Sequence, residues 1–222
     1  SGNTVTPVAN FNGTLSVPVR VNDGNATSAV FTLEVEVTPE NDRPVISGQS
    51  SISTPEEQGI TILPAHLTVV DPDNTYPADF TLAVSTGANY TLSGNTVTPV
   101  TNFNGTLTVP VRVNDASVNS DIFNLQVQVT PVNDAPVITG QVFVGTLEDQ
   151  PVTIQLSHLT VTDVDDNYPT GFSLEVLPGT GYSLAGTTIT RNDNITGTLT
   201  VKVRVHDREA NSNEFGLQVQ VN

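Results

Sequence analysis

Apolar and polar positions alternate with a period of two in several stretches of the chain. Leu107, Val109, Val111 and Val113 alternate with Thr108, Pro110, Arg112 and Asn114. Phe123, Leu125, Val127 and Val129 alternate with Asn124, Gln126, Gln128 and Thr130. This period puts one side of each run on a core and the other in water, as in a β-strand with one buried face. The same pair returns as Leu199 to Val205 with Phe215 to Val221, and earlier as Leu15 to Val21 with Phe31 to Val37. Tyr90-Thr91-Leu92 and Thr96-Val97-Thr98 flank Ser93-Gly94-Asn95, which predicts a hairpin. Phe80 to Val84 predicts another strand, and Gly59 to Val70 one long strand broken near Pro64. Pro18 and Pro110 fall inside runs that read as central strands. Proline lacks the ladder donor, so a bulge or an outward-facing position is expected there. Nothing reads as a long amphipathic helix.

The pattern is written more than twice. Ser1-Gly2-Asn3-Thr4-Val5-Thr6-Pro7-Val8 recurs 92 residues later as Ser93-Gly94-Asn95-Thr96-Val97-Thr98-Pro99-Val100. Asp42 and Asp134, Asp71 and Asp163, Gly105 and Gly197, and Asp115 and Asp207 keep the same spacing. A unit of this size is an ordinary small domain, within the range of roughly 50–200 residues. The boundaries fall in two proline-flanked segments, Thr38-Pro39-Glu40-Asn41-Asp42-Arg43-Pro44 and Thr130-Pro131-Val132-Asn133-Asp134-Ala135-Pro136. Residues 1–41 are then the back half of one unit, 42–133 a complete unit, and 134–222 a second. About seven short strands per unit, with turn residues every 8–12 or so positions, predict an all-β, two-sheet sandwich. Half a sandwich leaves an apolar face open, so residues 1–41 are expected to be poorly stabilised unless the missing strands are supplied.

Composition narrows the function. The chain has 7 basic and 23 acidic residues and a formal charge of -16. Nucleic-acid contacts are made by Lys and Arg, so a nucleic-acid partner is excluded. An anionic membrane surface is disfavoured for the same reason. No run approaches the roughly 18 apolar residues of a membrane span, and no membrane insertion is expected in this stretch. Without Cys there is neither a disulfide framework nor a thiolate metal site.

The acids stand at strand ends rather than on outward strand faces. The recurrent groups are Glu56-Glu57, Asp71-Pro72-Asp73, Asn114-Asp115 and Asn41-Asp42. Their later copies are Glu148-Asp149, Asp163-Val164-Asp165, His206-Asp207 and Asn133-Asp134. Two like charges about 4 Å apart repel by roughly 4 kcal/mol at an effective dielectric near 20. Carboxylates that share a cavity therefore need a cation or protons. An all-oxygen donor set suits Ca²⁺, and few His with no Cys argue against zinc. The alternative is ordinary turn chemistry, in which Asp and Asn cap turns through their own side chains. No enzyme is expected: His66 and His158 lack a nucleophile motif, and the paired carboxylates recur in every copy.

Pro55-Glu56, Asp71-x-Asp73, Val113-Asn114-Asp115 and Asn133-Asp134-x-Pro136, in that order, resemble a cadherin repeat. With the Thr-rich strands and Phe103-Asn104-Gly105, the chain is most similar to the cadherin-like tandem repeats of large bacterial surface adhesins, including RTX-type proteins secreted by type I systems. The resemblance spans the whole chain. It implies tandem cadherin-like, Ig-like Greek-key sandwiches with calcium at the joints between them. At one joint the ligands would be Glu56, Glu57, Asn133, Asp134, Asp163, Asp165 and Asp207. At the other they would include Asn41, Asp42, Asp71, Asp73 and Asp115. The Asp-Arg-Glu of animal cadherins has no counterpart in the middle unit, and Asp207-Arg208-Glu209 stands in the Asn-Asp slot instead. The implied role is a calcium-rigidified extender of an extracellular, cell-surface adhesin that supports cell adhesion or biofilm formation. Its partners would be calcium ions and neighbouring repeats of the same chain. The alternative is a carbohydrate-binding or homophilic module, accessory to an extracellular enzyme, with a cell-surface glycan or another adhesin molecule as partner.

Overall fold

The computed structural model describes residues 2–192 and 196–222. The chain divides into two compact units, Ser1–Thr130 and Pro131–Asn222. The half repeat 1–41 falls inside the first.

The strands of the first unit are β1 (Gly13–Val19), β2 (Phe31–Val37), β3 (Val45–Gln49), β4 (Ser53–Pro55), β5 (Ile60–Thr61), β6 (Leu67–Val70), β7 (Thr81–Val84), β8 (Tyr90–Ser93), β9 (Thr96–Pro99), β10 (Gly105–Asn114) and β11 (Phe123–Thr130). One sheet runs β4-β11-β10-β7. The other layer holds β5-β9-β8 and β3-β6, with β5 and β6 separated by a 3-10 turn at Pro64–His66. This turn is the break expected near Pro64. His66 helps to close it: its Nδ1 accepts the Leu63 N–H at 3.1 Å, and His158 Nδ1 accepts the Gln155 N–H at 3.2 Å in the second unit. The first strand changes layer. β3 pairs antiparallel with β6, and the chain then crosses so that β4 pairs parallel with β11.

The period-two positions build the core. Leu107, Val109, Val111 and Val113 of β10 and Leu125, Val127 and Val129 of β11 cluster with Ile62, Leu67, Tyr90 and Val97 of the opposite layer. Burying each of these side chains contributes about 1.5–3 kcal/mol. Pro110 keeps the ladder in register opposite Asn124 and faces away from the core. Its carbonyl accepts the Ser85 N–H at 2.9 Å, just beyond the end of β7 at Val84. The missing N–H thus points where no paired strand needs a donor. The outward position, not a bulge, accommodates the proline.

The second unit repeats this plan with β12 (Val137–Gln141), β13 (Val144–Thr146), β14 (Val152–Thr153), β15 (Leu159–Thr162), β16 (Ser173–Val176), β17 (Tyr182–Ala185), β18 (Thr188–Arg191), β19 (Gly197–His206) and β20 (Phe215–Val221). Its sheets run β13-β20-β19-β16, β14-β18-β17 and β12-β15. Its core joins Val201, Val203, Leu217 and Val219 to Ile138, Ile154, Leu159 and Ile189. No helix among the described residues is long and apolar enough to cross a membrane.

The last two strands of a repeat occur three times in one register: Gly13 opposes Val37, Gly105 opposes Val129, and Gly197 opposes Val221. Their surroundings differ. β1 and β2 form a two-stranded sheet on their own. Phe31 is 65% exposed, Leu33 45% and Val35 37%, whereas Leu125 and Val127, the repeats of Leu33 and Val35, are 0% exposed. The repeated octapeptide behaves likewise. Thr96–Pro99 is strand β9, paired with β8 across the turn at Gly94-Asn95, but residues 4–7 form no strand. Ser1 lies outside the described residues.

Candidate metal centre

In each unit acids from two loops bond to a linker, Asn41-Asp42 ahead of β3 in the first and Asn133-Asp134 ahead of β12 in the second. In the second unit Asp163 directly follows β15. Its Oδ1 accepts the N–H of Asp165 at 2.9 Å and of Asp166 at 2.8 Å, closing a turn of the kind Asp side chains favour. Asp165 then reaches the linker, its Oδ2 accepting the Asp134 N–H at 2.8 Å. Asp207 directly follows β19. Its Oδ1 accepts the N–H groups of Glu209 and Ala210, both at 2.7 Å, and its Oδ2 accepts the Asn133 side-chain amide at 3.1 Å. Asn133 also donates to the Asp134 carbonyl at 3.1 Å. The linker is thus tied by two adjacent residues to two loops from different layers.

The first unit repeats the set. Asp71 Oδ1 accepts from Asp73 and Asn74, Asp73 Oδ2 accepts the Asp42 N–H at 2.7 Å, and Asp115 Oδ2 accepts the Asn41 amide at 2.9 Å. A cavity of about 470 Å³ opens beside this linker, lined in part by Asn10, Asn12, Glu40, Asn41, Asp42 and Asp73. Arg43 pairs with Asp121 at 2.7 Å, but both side chains are more than half exposed, so the pair contributes little.

Asp115 and Asp207 are only 2% exposed. The Asn41 amide, followed by the turn N–H of Val118, holds the Asp115 carboxyl below its ordinary range. Burial pushes Asp207 up, but the Ala210 N–H, the Asn133 amide and the Glu209 N–H together outweigh it and hold that carboxyl low as well. Both groups therefore bind protons more weakly folded than unfolded. The stability they supply is complete above the unfolded value near 4 and is lost as pH falls below it. In EDTA, the melting temperature of the parent chain is expected to fall more steeply between about pH 5 and pH 2 than that of the Asp115→Asn, Asp207→Asn double variant. Equal slopes would mean that neither carboxyl matters in acid.

Among the described residues, two carboxylate oxygens stand apart. Asp71 Oδ2 and Asp163 Oδ2 are buried and accept no hydrogen bond. A buried polar atom left without a partner costs about 1–3 kcal/mol, and more when it is charged. Turn chemistry explains only the Oδ1 atoms. Asp23, the half repeat's counterpart of Asp115 and Asp207, shows the same turn chemistry with Asn25 and Ala26 while exposed. The unpartnered Oδ2 atoms are positions that a cation would satisfy. Among the described residues no three Asp, Glu or His side chains converge into a cage of their own. The donor set is mixed instead, with Asn side chains and linker carbonyls beside the acids, which fits a hard cation with oxygen ligands.

Glu56 and Glu57 lie elsewhere in the first unit. Glu56 follows β4, is 5% exposed, and donates its N–H to the Thr130 carbonyl at 2.9 Å, at the last residue of β11. Glu57 is exposed, with φ 63°. Asp207-Arg208-Glu209 is the turn after β19, the counterpart of Asp115-Ala116-Ser117. Sequence reasoning missed Ser120 and Ser212. Each is buried, and its hydroxyl accepts a strand N–H, from Val113 at 3.1 Å and from Val205 at 3.0 Å, which fixes the loop that carries Asp115 or Asp207. Their recurrence at the repeat spacing was the available signal.

Residues 41–128 match the family model of the bacterial Ig domain. None of the curated proteins matches the chain. Among solved structures it is similar to mouse cadherin-23 EC22-24, at 17% identity over 98% of this chain and 77% of that one, with a TM-score of 0.58. It is also similar to the protocadherin gammaB7 EC3-6 cis-dimer structure, at 17% identity over 90% of this chain and 56% of that one, with a TM-score of 0.54. A third is the protocadherin gammaB4 extracellular domain, at 17% identity over 89% of this chain and 35% of that one, with a TM-score of 0.51. The chain thus spans little more than a third to about half of the length of the two protocadherins. Identities this low speak to fold alone.

Proposed function

We propose that this chain, a tandem of cadherin-like and Ig-like β-sandwiches, is an extender segment of an extracellular adhesin whose joints are set by calcium. The observation that carries this reading is the pair of buried, unpartnered oxygens, Asp71 Oδ2 and Asp163 Oδ2, each one turn from an Asp that binds the linker. The residues that would hold the ion are Asn133, Asp134, Asp163, Asp165 and Asp207 in the second unit, and Asn41, Asp42, Asp71, Asp73 and Asp115 in the first. Glu56 and Glu57, which follow β4, are proposed to contribute from the unit that precedes the Asn133-Asp134 linker. A bound cation supplies positive charge to carboxylates that otherwise repel. The protein's part is to present oxygens and to tether the linker to two loops, so that loading the site restricts the joint.

Extracellular modules bind Ca²⁺ at about 10⁻⁴ to 10⁻³ M, so the sites would fill outside the cell and stay empty in a cytosol. Small-angle scattering tests the reading. The maximum dimension is expected to be larger and better defined in calcium than in EDTA, and Asp134→Ala is expected to abolish the difference. A parent chain with the same scattering profile in both buffers would sink it.

A further inference from the structure

The two strand-crossing segments carry a bond pattern that neither the cation sites nor the cores require. In the second unit, Gln141 ends β12 just before the chain crosses to the other sheet. Its Nε2 donates to the Gln218 carbonyl at 2.9 Å, and its Oε1 accepts the Gln218 N–H at 2.6 Å. In the first unit, Gln49 does the same to Gln126, at 2.8 Å for both bonds. A side-chain amide thereby takes the place of a strand residue on the edge of the last strand. Backbone pairing takes over just beyond, from Val144 opposite Val219 in the second unit and from Ser53 opposite Gln128 in the first.

These brackets sit where tension would act. A pull on the chain ends enters the second unit at β12 and leaves through β20. β13 and β20 run parallel, so the pull slides them past one another and loads their cross-bonds together in shear. That seam holds Val144 against Val219 through Thr146 against Val221. Beyond it lie the Asn222 N–H to Thr146 carbonyl bond and the Glu148 N–H to Asn222 carbonyl bond, each 3.0 Å. Gln141 adds two bonds at the end of the seam where the pull from the linker arrives. By contrast, β12 offers a weak handhold, because its ladder to β15 shifts register between Ile138 and Gly140.

We propose that Gln141 and Gln49 are mechanical clamps: each locks the crossing strand of its unit to the last strand and delays unfolding when the chain is stretched. Forced unfolding is governed by the unfolding rate, so bonds that break before the barrier act on lifetime under load. The clamp lies inside each unit and does not depend on the cation sites.

The test is constant-force stretching of the whole chain held by its ends, in EDTA, where each complete repeat releases about 30 nm of chain. Gln141→Ala removes both bonds and is expected to shorten the dwell time of one of the two repeat-unfolding steps roughly tenfold or more. Gln49→Ala is expected to do the same to the other step. Gln141→Glu, which keeps the acceptor and loses the donor, should fall between. Thr188→Ala is the control, since it removes the 2.9 Å Thr153–Thr188 bond of the opposite layer. The proposal is overturned if the glutamine variants leave the dwell times unchanged, or shorten them no more than Thr188→Ala does for the same loss of stability in urea.

Discussion

Calcium at about 10 mM is expected to raise the melting temperature of the metal-free chain by about 5–20 °C. An affinity of about 10⁻⁴ to 10⁻³ M corresponds to about 1.4–2.7 kcal/mol of linkage at that concentration. A domain of this size shifts by roughly 4–8 °C per kcal/mol. Asp163→Asn gives a second, opposite sign. The amide oxygen can still accept the Asp165 and Asp166 N–H groups, while the buried charge is removed and a neutral NH2 takes the place of the unpartnered oxygen. In EDTA this variant should be at least as stable as the parent, and in calcium the second unit should be less stable than the parent's. A scanning calorimeter resolves both. If calcium leaves the parent unmoved, the acids are turn caps and nothing more.

The second large effect concerns three leucines at one repeat position. Leu33, Leu125 and Leu217 oppose Val17, Val109 and Val201 in the same register. Leu125 and Leu217 are 0% exposed and Leu33 is 45% exposed. Truncating a fully buried leucine to alanine costs about 2–5 kcal/mol, a large share of the roughly 5–15 kcal/mol that holds a domain together. Leu125→Ala and Leu217→Ala are each expected to lower the stability of one unit by that amount, read as an earlier urea midpoint. Leu33→Ala should cost well under about 1 kcal/mol, because water already reaches its face. A large loss at Leu33 would show that the β1–β2 face is covered in solution.

Those three leucines also show what the sequence could and could not express. Period-two alternation marks Phe31 to Val37 and Phe123 to Val129 equally as strands, and both are strands paired in the same register. Alternation reports which face wants burial, not whether anything is there to bury it. The octapeptide makes the same point more strongly: Thr96–Pro99 is a strand because β8 and β5 flank it, and the identical residues 4–7 are not. At the candidate metal centre, spacing alone brought the linker Asn-Asp to the Asp-x-Asp and to the Asp after the long strand. It was silent on which oxygen does what. That Asp163 spends one oxygen on its own turn and leaves the other bare depends on backbone angles that no residue count conveys. Nor does composition separate Gln141 or Gln49 from the outward-facing glutamines of β11 and β20.

The parallel pairing of the crossing strand with the last strand also guards against misassembly. Residues 1–41 carry a close copy of the back half that follows the front half 42–92, so the front half has two candidate partners of nearly the same sequence. Docking onto the earlier one would make a circularly permuted sandwich. There, β4 would have to lie parallel to β2, beside Val37, as it lies beside Val129 in the native pairing. The chain leaving Val37 would then have to run back along the whole crossing strand to begin again at Val45. The seven residues 38–44 reach about 25 Å at full extension, with Pro39 and Pro44 among them, and have no slack for that return. The native partner faces no such constraint, because the front half leads into it through the β8–β9 hairpin. Halves of similar sequence can therefore stand side by side in one chain, with chain direction choosing between them.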